Sequence, residues 1–151
     1  MITLKLQGFQ ETKETLVKEL GKFNNLGTAT VGVHEKAGIH PSSDSGETIA
    51  EIAIKNHFGS GNIPARPFLD VGVESVISQI NQDVEVWLAK GKPNKALQQM
   101  ARLAVGGVQT YIRDLQYPPN APYTIQMKGS SNPLVDTGTL VQNITGEIHK
   151  K

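Results

Sequence analysis

Apolar and polar residues follow two distinct periods along this chain, and each change of period marks an element. Ile2, Leu4 and Leu6 alternate with Thr3 and Lys5, which predicts a short half-buried strand ending before Gly8. Over residues 11–23 the apolar positions Leu16, Val17, Leu20 and Phe23 share one helical face, predicting a first helix that closes near Asn24 and Asn25. Residues 28–33, TATVGV, put Ala29, Val31 and Val33 on one side and return to the strand period. A second short helix is expected over residues 47–58, from Ile49, Ala50, Ala53 and Ile54 with Glu47 and Glu51 in its first turns, where the macrodipole favours acids.

Two longer helical stripes follow. Val73, Val76, Ile77, Ile80, Val84, Trp87 and Leu88 repeat at three and four, predicting a single helix over residues 68–89 that stops at Gly91 and Pro93. Leu97, Met100, Ala101, Ala104, Val108, Tyr111, Ile112 and Leu115 give the cleanest period of all, over residues 94–115. Gly106 and Gly107 interrupt that stripe at a cost of about 1 kcal/mol each relative to Ala. Close approach of another helix would offset it, and a local bend is the alternative. From Thr139 a short helical turn and then a strand through Ile144 and Ile148 are expected.

Between these elements the composition changes. Residues 34–46 hold two glycines, Pro41 and three serines, the make-up of a mobile loop. Residues 59–67, GSGNIPARP, are barred from helix by their glycines and by Pro64 and Pro67, which push Ile63 and Arg66 toward extended conformations. Residues 117–133 carry Pro118, Pro119, Pro122 and Pro133 and read as an extended arm or binding loop. The expected architecture is therefore α+β, one domain over residues 1–151. A small antiparallel sheet is packed by two long and two short helices, with long extended loops.

Composition narrows the functions this chain could serve. A hydrophobic fraction of 38% with 15 glycines and 8 prolines suits a globular domain with an aliphatic core and much loop. Fifteen basic against fourteen acidic residues leave a formal charge of +1, too little for a protein that neutralises many phosphates. The absence of cysteine excludes disulfides, thiolate metal sites and a cysteine nucleophile. With neither a signal-peptide pattern nor an 18-residue apolar run, the chain is expected neither to be secreted by that route nor to span a membrane.

The sharpest match to enzyme chemistry is Asp136-Thr137-Gly138, the turn in which aspartic proteases hold a catalytic carboxylate. That chemistry needs two carboxylates sharing a proton, and fifteen residues after Asp136 are too few to build the enclosing lobe. The structural reading makes Asp136 the N-cap of the final helix, with Gly138 relaxing the turn. His34, His40, His57 and His149 show no paired spacing for a metal, and His57 reads as a half-buried helix-end residue. The GSGNIP glycines lack a phosphate-cradling pattern, and no serine sits in a nucleophile elbow. Neither catalysis, metal nor cofactor is therefore expected.

What remains is the pair of loops. Ile63, Pro64, Arg66, Pro67 and Phe68 set one arginine between rigid prolines, a preorganised backbone that loses little entropy on docking. The arm presents Tyr117, Tyr123 and Met127, types favoured at interfaces, followed by Lys128. These residues are the candidate subunit or partner interface, against the alternative of loops packed on their own domain.

Three blocks carry a resemblance: IAEIAIKNHFGSGNIPARPFLD at 49–70, VGGVQTYIRDL at 105–115, and PPNAPYTIQMKGSSNPLVDTGTLVQNI at 118–144. In this order they resemble the small head-to-tail joining, or tail-completion, proteins of tailed bacteriophages and prophages, including their Mu-like virion-morphogenesis relatives. Two positions depart from the family's usual phrase: Asn56-His57-Phe58, where an acidic residue before the phenylalanine is common, and Asn143, where serine is common. The resemblance implies helices against a small antiparallel sheet in a non-enzymatic subunit of the virion neck, made in the bacterial cytoplasm. It further implies a ring homo-oligomer, six-fold by preference with twelve-fold as the alternative, between the connector or stopper and the tail terminator or tail tube. DNA would pass through the lumen without being read. The rival readings are a D-T-G peptidase and a free-standing prophage-encoded binding module.

Overall fold

Residues 28–33 form the expected strand, β1 (Thr28–Val33), which pairs antiparallel with β2 (Ile144–His149) from Val33 opposite Ile144 to Thr28 opposite His149. The structure, a computed structural model, describes residues 27–41 and 43–149; the expected strand at 2–6 and helix at 11–23 lie outside them. Alternation sorts the two faces of this ribbon. Val31, Val33 and Ile144 turn to the core, while Thr30 bonds the rings of His34 and His149 across the other face at 3.2 and 3.0 Å. Glu147 on that face pairs with Lys36, and this contact holds its carboxyl below the ordinary glutamate range. The described residues of the stretch expected to be a mobile loop are pinned: a 3-10 turn at Glu35–Ala37, a bridge between Ile39 and Thr48, and a bond from His40 N to Glu47 O at 2.9 Å hold them.

Helix α1 (Ile49–Phe58) begins two residues later than the sequence suggests, because Thr48 and Glu51 form a reciprocal cap. The Glu51 N–H donates to Thr48 Oγ1 at 3.2 Å, and the Thr48 N–H donates to Glu51 Oε2 at 2.8 Å. The Thr48 N–H and, at 2.9 Å, the Thr48 hydroxyl both donate to Glu51 Oε2 and hold that carboxyl below its ordinary range. Glu47 stays outside the helix, paired with Lys55. Removing the cap in Thr48→Ala is expected to cost about 1 kcal/mol in a urea melt.

The single helix expected over residues 68–89 is two: α2 (Phe68–Glu74) and α3 (Ile77–Ala89). Ser75 stays near-helical, but Val76 leaves the helix at φ −115 and ψ 5. The Ser75 hydroxyl donates to the Gly72 carbonyl at 2.7 Å, offering the backbone the local alternative that breaks helices. After Gly91, at φ 64, the chain reverses into α4 (Pro93–Asp114), whose first-turn proline suits its fixed φ.

Helix α4 is the spine of the domain. Its buried stripe of Ala96, Leu97, Ala101, Ala104, Gly107, Val108 and Ile112 receives α2, α3 and both strands. A Cβ on Gly107 would lie 2.4 Å from the Gly72 carbonyl oxygen, and one on Gly72 would lie 2.5 Å from the Val108 Cα. Close approach, the first of the two readings for this glycine pair, therefore holds at Gly107, whereas Gly106 faces open space. Gly146 plays the same part for β2, since its Cβ would meet Ala101 Cβ at 3.1 Å.

The supposed arm folds back on the domain. Within it α5 (Pro122–Lys128) starts on a first-turn proline and ends at Gly129 in the left-handed region, whose N–H bonds Ile125 O at 2.9 Å. Helix α6 (Thr139–Gln142) and β2 then close the chain as expected. The cap of α6 is Gly138, at φ 80, and not Asp136. Among the described residues the fold is α+β, six helices and a two-stranded antiparallel sheet around a core of Phe68, Val108, Ile112, Leu134, Leu140 and Ile144. No helix among them is long and apolar enough to cross a membrane.

Candidate functional site

Segments distant in sequence meet at Arg66. The strand-like loop of residues 59–66 is fixed before it arrives there: Ser60 and Ile63 bond each other's backbones at 2.9 and 3.0 Å, and Gly59 turns at φ 81 against Ala65. The Arg66 N–H then bonds Asn56 O at 2.8 Å, tying the loop to the end of α1. Its guanidinium reaches across to the segment after α4. Nε donates to Pro118 O at 3.0 Å, and Nη2 to Pro119 O and Asn120 Oδ1 at 3.3 Å each. Nη1 donates to Asn56 Oδ1 at 3.4 Å.

A second residue extends this network. Asn132 Oδ1 accepts from the Leu134 and Val135 N–H groups at 2.9 and 3.0 Å, shaping the turn, while its Nδ2 donates to Ile112 O and Arg113 O at the end of α4. Its carbonyl accepts from Asn120 Nδ2 at 3.4 Å and from Lys128 Nζ at 3.1 Å. The chain from Arg66 through Asn120 and Asn132 to Lys128 thus locks together loop 59–66, the Pro118–Pro119 turn, α5 and the end of α4. Asparagine's capacity to donate and accept at once suits both hubs.

These segments wall a groove of about 650 Å³, within the range of ligand sites. The loop before α1 supplies Asp44 and Glu47, α1 supplies Ile52 and Asn56, loop 59–66 supplies Ile63, Pro64 and Arg66, and α5 supplies Thr124 and Lys128. Asp136, exposed on the turn before α6, completes the rim. Burial pushes the Lys128 ammonium below its ordinary pKa; Asp136 acts in the opposite direction and Arg66 adds to the lowering. Burial also lowers the Arg66 pKa, yet a guanidinium stays charged across the physiological range.

The interface candidates divide on this geometry. Arg66 is 2% exposed and Phe68 0%: both are packed within this chain, Phe68 in the core and Arg66 in the wall of the groove. Phe68 sits in the core beside His57, which is buried rather than half-buried and directs Nε2 at Asp70 Oδ2, 3.2 Å away. Ile63, Pro64 and Pro67 stay on the surface of the loop. Tyr117 is 79% exposed and Tyr123 72%, and Met127, one turn from Tyr123 on α5, is 70%. Lys128 is half-buried in the groove wall. Phe58 and Ile54, one turn apart on α1, are exposed as well and lay outside the sequence-based set.

Asn56, Asn120 and Asn132 were also outside that set. The signal for Asn132 is local, an asparagine before proline that initiates a turn. The other two are acceptors for an arginine ten and fifty-four residues away, which no local pattern encodes. Comparison with protein-family models, curated proteins and solved structures returns no match for the chain.

Proposed function

We propose that this protein is a non-enzymatic structural subunit of a tailed-bacteriophage neck, which forms a ring joining the DNA-filled head to the tail. The observation that carries the reading is the convergence at Arg66. The phrase IPARPF and the phrase beginning PPNAPY are two of the blocks on which the resemblance rests, and Arg66 of the first is bonded to Pro118, Pro119 and Asn120 of the second. Residues that resemble a family in separate stretches of sequence thus build one preorganised surface. Around it the apolar side chains Ile63, Tyr117, Tyr123 and Met127 face solvent, the residue types that anchor protein interfaces. A near-zero net charge fits a subunit that DNA passes without being bound.

The ring follows from head-to-tail, heterologous contacts between copies. Electron microscopy of the purified protein should display closed rings, and the double variant Tyr123→Ser, Met127→Ser should lose them. Exposed positions such as these leave stability within about 0.5 kcal/mol, whereas a buried aromatic anchor contributes about 2 kcal/mol to association, a factor of roughly thirty. Head–tail joining in an extract complementation assay should fall in parallel. A wild-type protein that stays monomeric and has no affinity for virion parts would instead favour a free-standing prophage binding module.

A further inference from the structure

The groove holds two cations that, among the described residues, no carboxylate contacts directly. All partners of the Arg66 guanidinium are neutral: two backbone carbonyls and the side-chain oxygens of Asn56 and Asn120. The Lys128 ammonium donates to one more carbonyl, that of Asn132. Ion pairs among the described residues involve His34, Lys36, Lys55 and His57, and neither of these two. One of the five guanidinium donors, on Nη1, is left without a partner among the described residues, as are two on the ammonium.

Withdrawing a charge from water is costly unless a counter-charge accompanies it. Carbonyl dipoles orient the guanidinium and satisfy its hydrogen bonds, but they leave its charge in place. Burial depresses the Lys128 pKa, Asp136 on the rim counters part of that, and Arg66 adds to it. Two cations in the wall of one concave site, each held by neutral acceptors, are what an anion completes.

The other walls select the class of anion. Asp44, Glu47 and Asp136 line the same groove, and a polyphosphate or duplex would meet their charges as well as those of Arg66 and Lys128. Ile52, Ile63 and Pro64 offer apolar surface on which the neighbours of a single charged residue could pack. We propose that the groove binds an extended segment of a partner protein through one carboxylate, an aspartate or glutamate side chain seated against Arg66 and Lys128, with apolar residues on either side of it. The inference rests on the assembly reading for the class of partner, a protein, and adds the chemistry by which that partner is held.

The test uses the full chain, labelled with ¹⁵N, titrated with the blocked pentapeptide acetyl-Ala-Leu-Glu-Pro-Leu-amide and with its glutamine counterpart. The glutamate peptide should bind about tenfold tighter or more, shifting the Arg66 Nε–Hε resonance and the amides of residues 62–66 and 119–128. Lys128→Met, which keeps the stem but removes the charge and its bond to the Asn132 carbonyl, should abolish most of that preference while the α4 amide resonances stay at their parent positions and report an intact fold. Lys128→Arg should restore it. Equal affinity for the two peptides, a preference that survives Lys128→Met, or no shift up to about 10 mM peptide would each overturn the site. So would a short DNA duplex that binds the groove more tightly than the glutamate peptide. Ring formation is scored separately: rings without a carboxylate preference sink this inference alone, and the preference without rings sinks only the neck reading.

Discussion

Gly107→Ala should unfold this protein about 3 kcal/mol more easily than the parent, while Gly106→Ala, one residue away, should leave it unchanged or stabilise it. The added carbon at 107 would stand 2.4 Å from the Gly72 carbonyl oxygen and 2.8 Å from a Val76 methyl. A backbone oxygen does not rotate aside, so α2 and α4 must separate and loosen the contacts of Phe68 and Val108 beside them. The carbon at 106 meets nothing within 4 Å, and alanine there gains up to about 1 kcal/mol of helix propensity. Gly72→Ala should resemble Gly107→Ala, because its carbon would lie 2.5 Å from the Val108 backbone. The double variant should cost less than the sum of the two, since helices already parted by one methyl accommodate the second. Thermal melts should register Gly107→Ala and Gly72→Ala as drops of roughly 6–12 °C each. A loss at Gly107 no larger than that at Gly106 would refute the close-approach geometry.

That contrast separates what local sequence encodes from what it does not. β1, α4 and the closing turn and strand are legible because a single face of each is buried, and burial writes its period into the residues. The break between α2 and α3 is not. Ser75 keeps near-helical angles and only Val76 departs, so Val73, Val76, Ile77 and Ile80 stay in phase across it and neither glycine nor proline announces it. Helix α5 is concealed for the opposite reason. Its prolines suggest an extended arm, yet Pro122 occupies the one helical turn in which proline is at home. The groove is the least legible feature of all, since its walls come from segments that meet only in the folded chain. Arg66 condenses the problem. Between exposed prolines an arginine reads as a surface residue, and its burial depends on acceptors more than fifty positions later in the chain.

Those acceptors give the second large effect. Arg66→Ala removes four hydrogen bonds donated by one charged group and leaves the carbonyls of Pro118 and Pro119 without their donor. A hydrogen bond to a charged group is worth about 1.5–3 kcal/mol. Relief of the cost of burying the charge returns part of the total, and water entering the groove resolvates some of the carbonyls. The expected net loss is about 3 kcal/mol in a urea melt. Arg66→Lys should recover less than half of it, because an ammonium on a flexible stem cannot reproduce a planar fork that spans Pro118, Pro119 and Asn120 at once. The damage should also be local before it is global. The amide of Ile125, which bonds Ala121 O at the start of α5, should exchange with solvent faster in Arg66→Ala than in the parent, and a protease should cut between residues 117 and 121 first, whereas protection in the middle of α4 should fall only by the amount of the global loss. Loss of head–tail joining in this variant would then include the collapse of a groove wall, whereas Tyr123→Ser, Met127→Ser removes exposed contacts without touching the network. If Arg66→Ala melts within about 0.5 kcal/mol of the parent and exchange at Ile125 is unaltered, the guanidinium does not hold these segments together, and the groove has some other fastening.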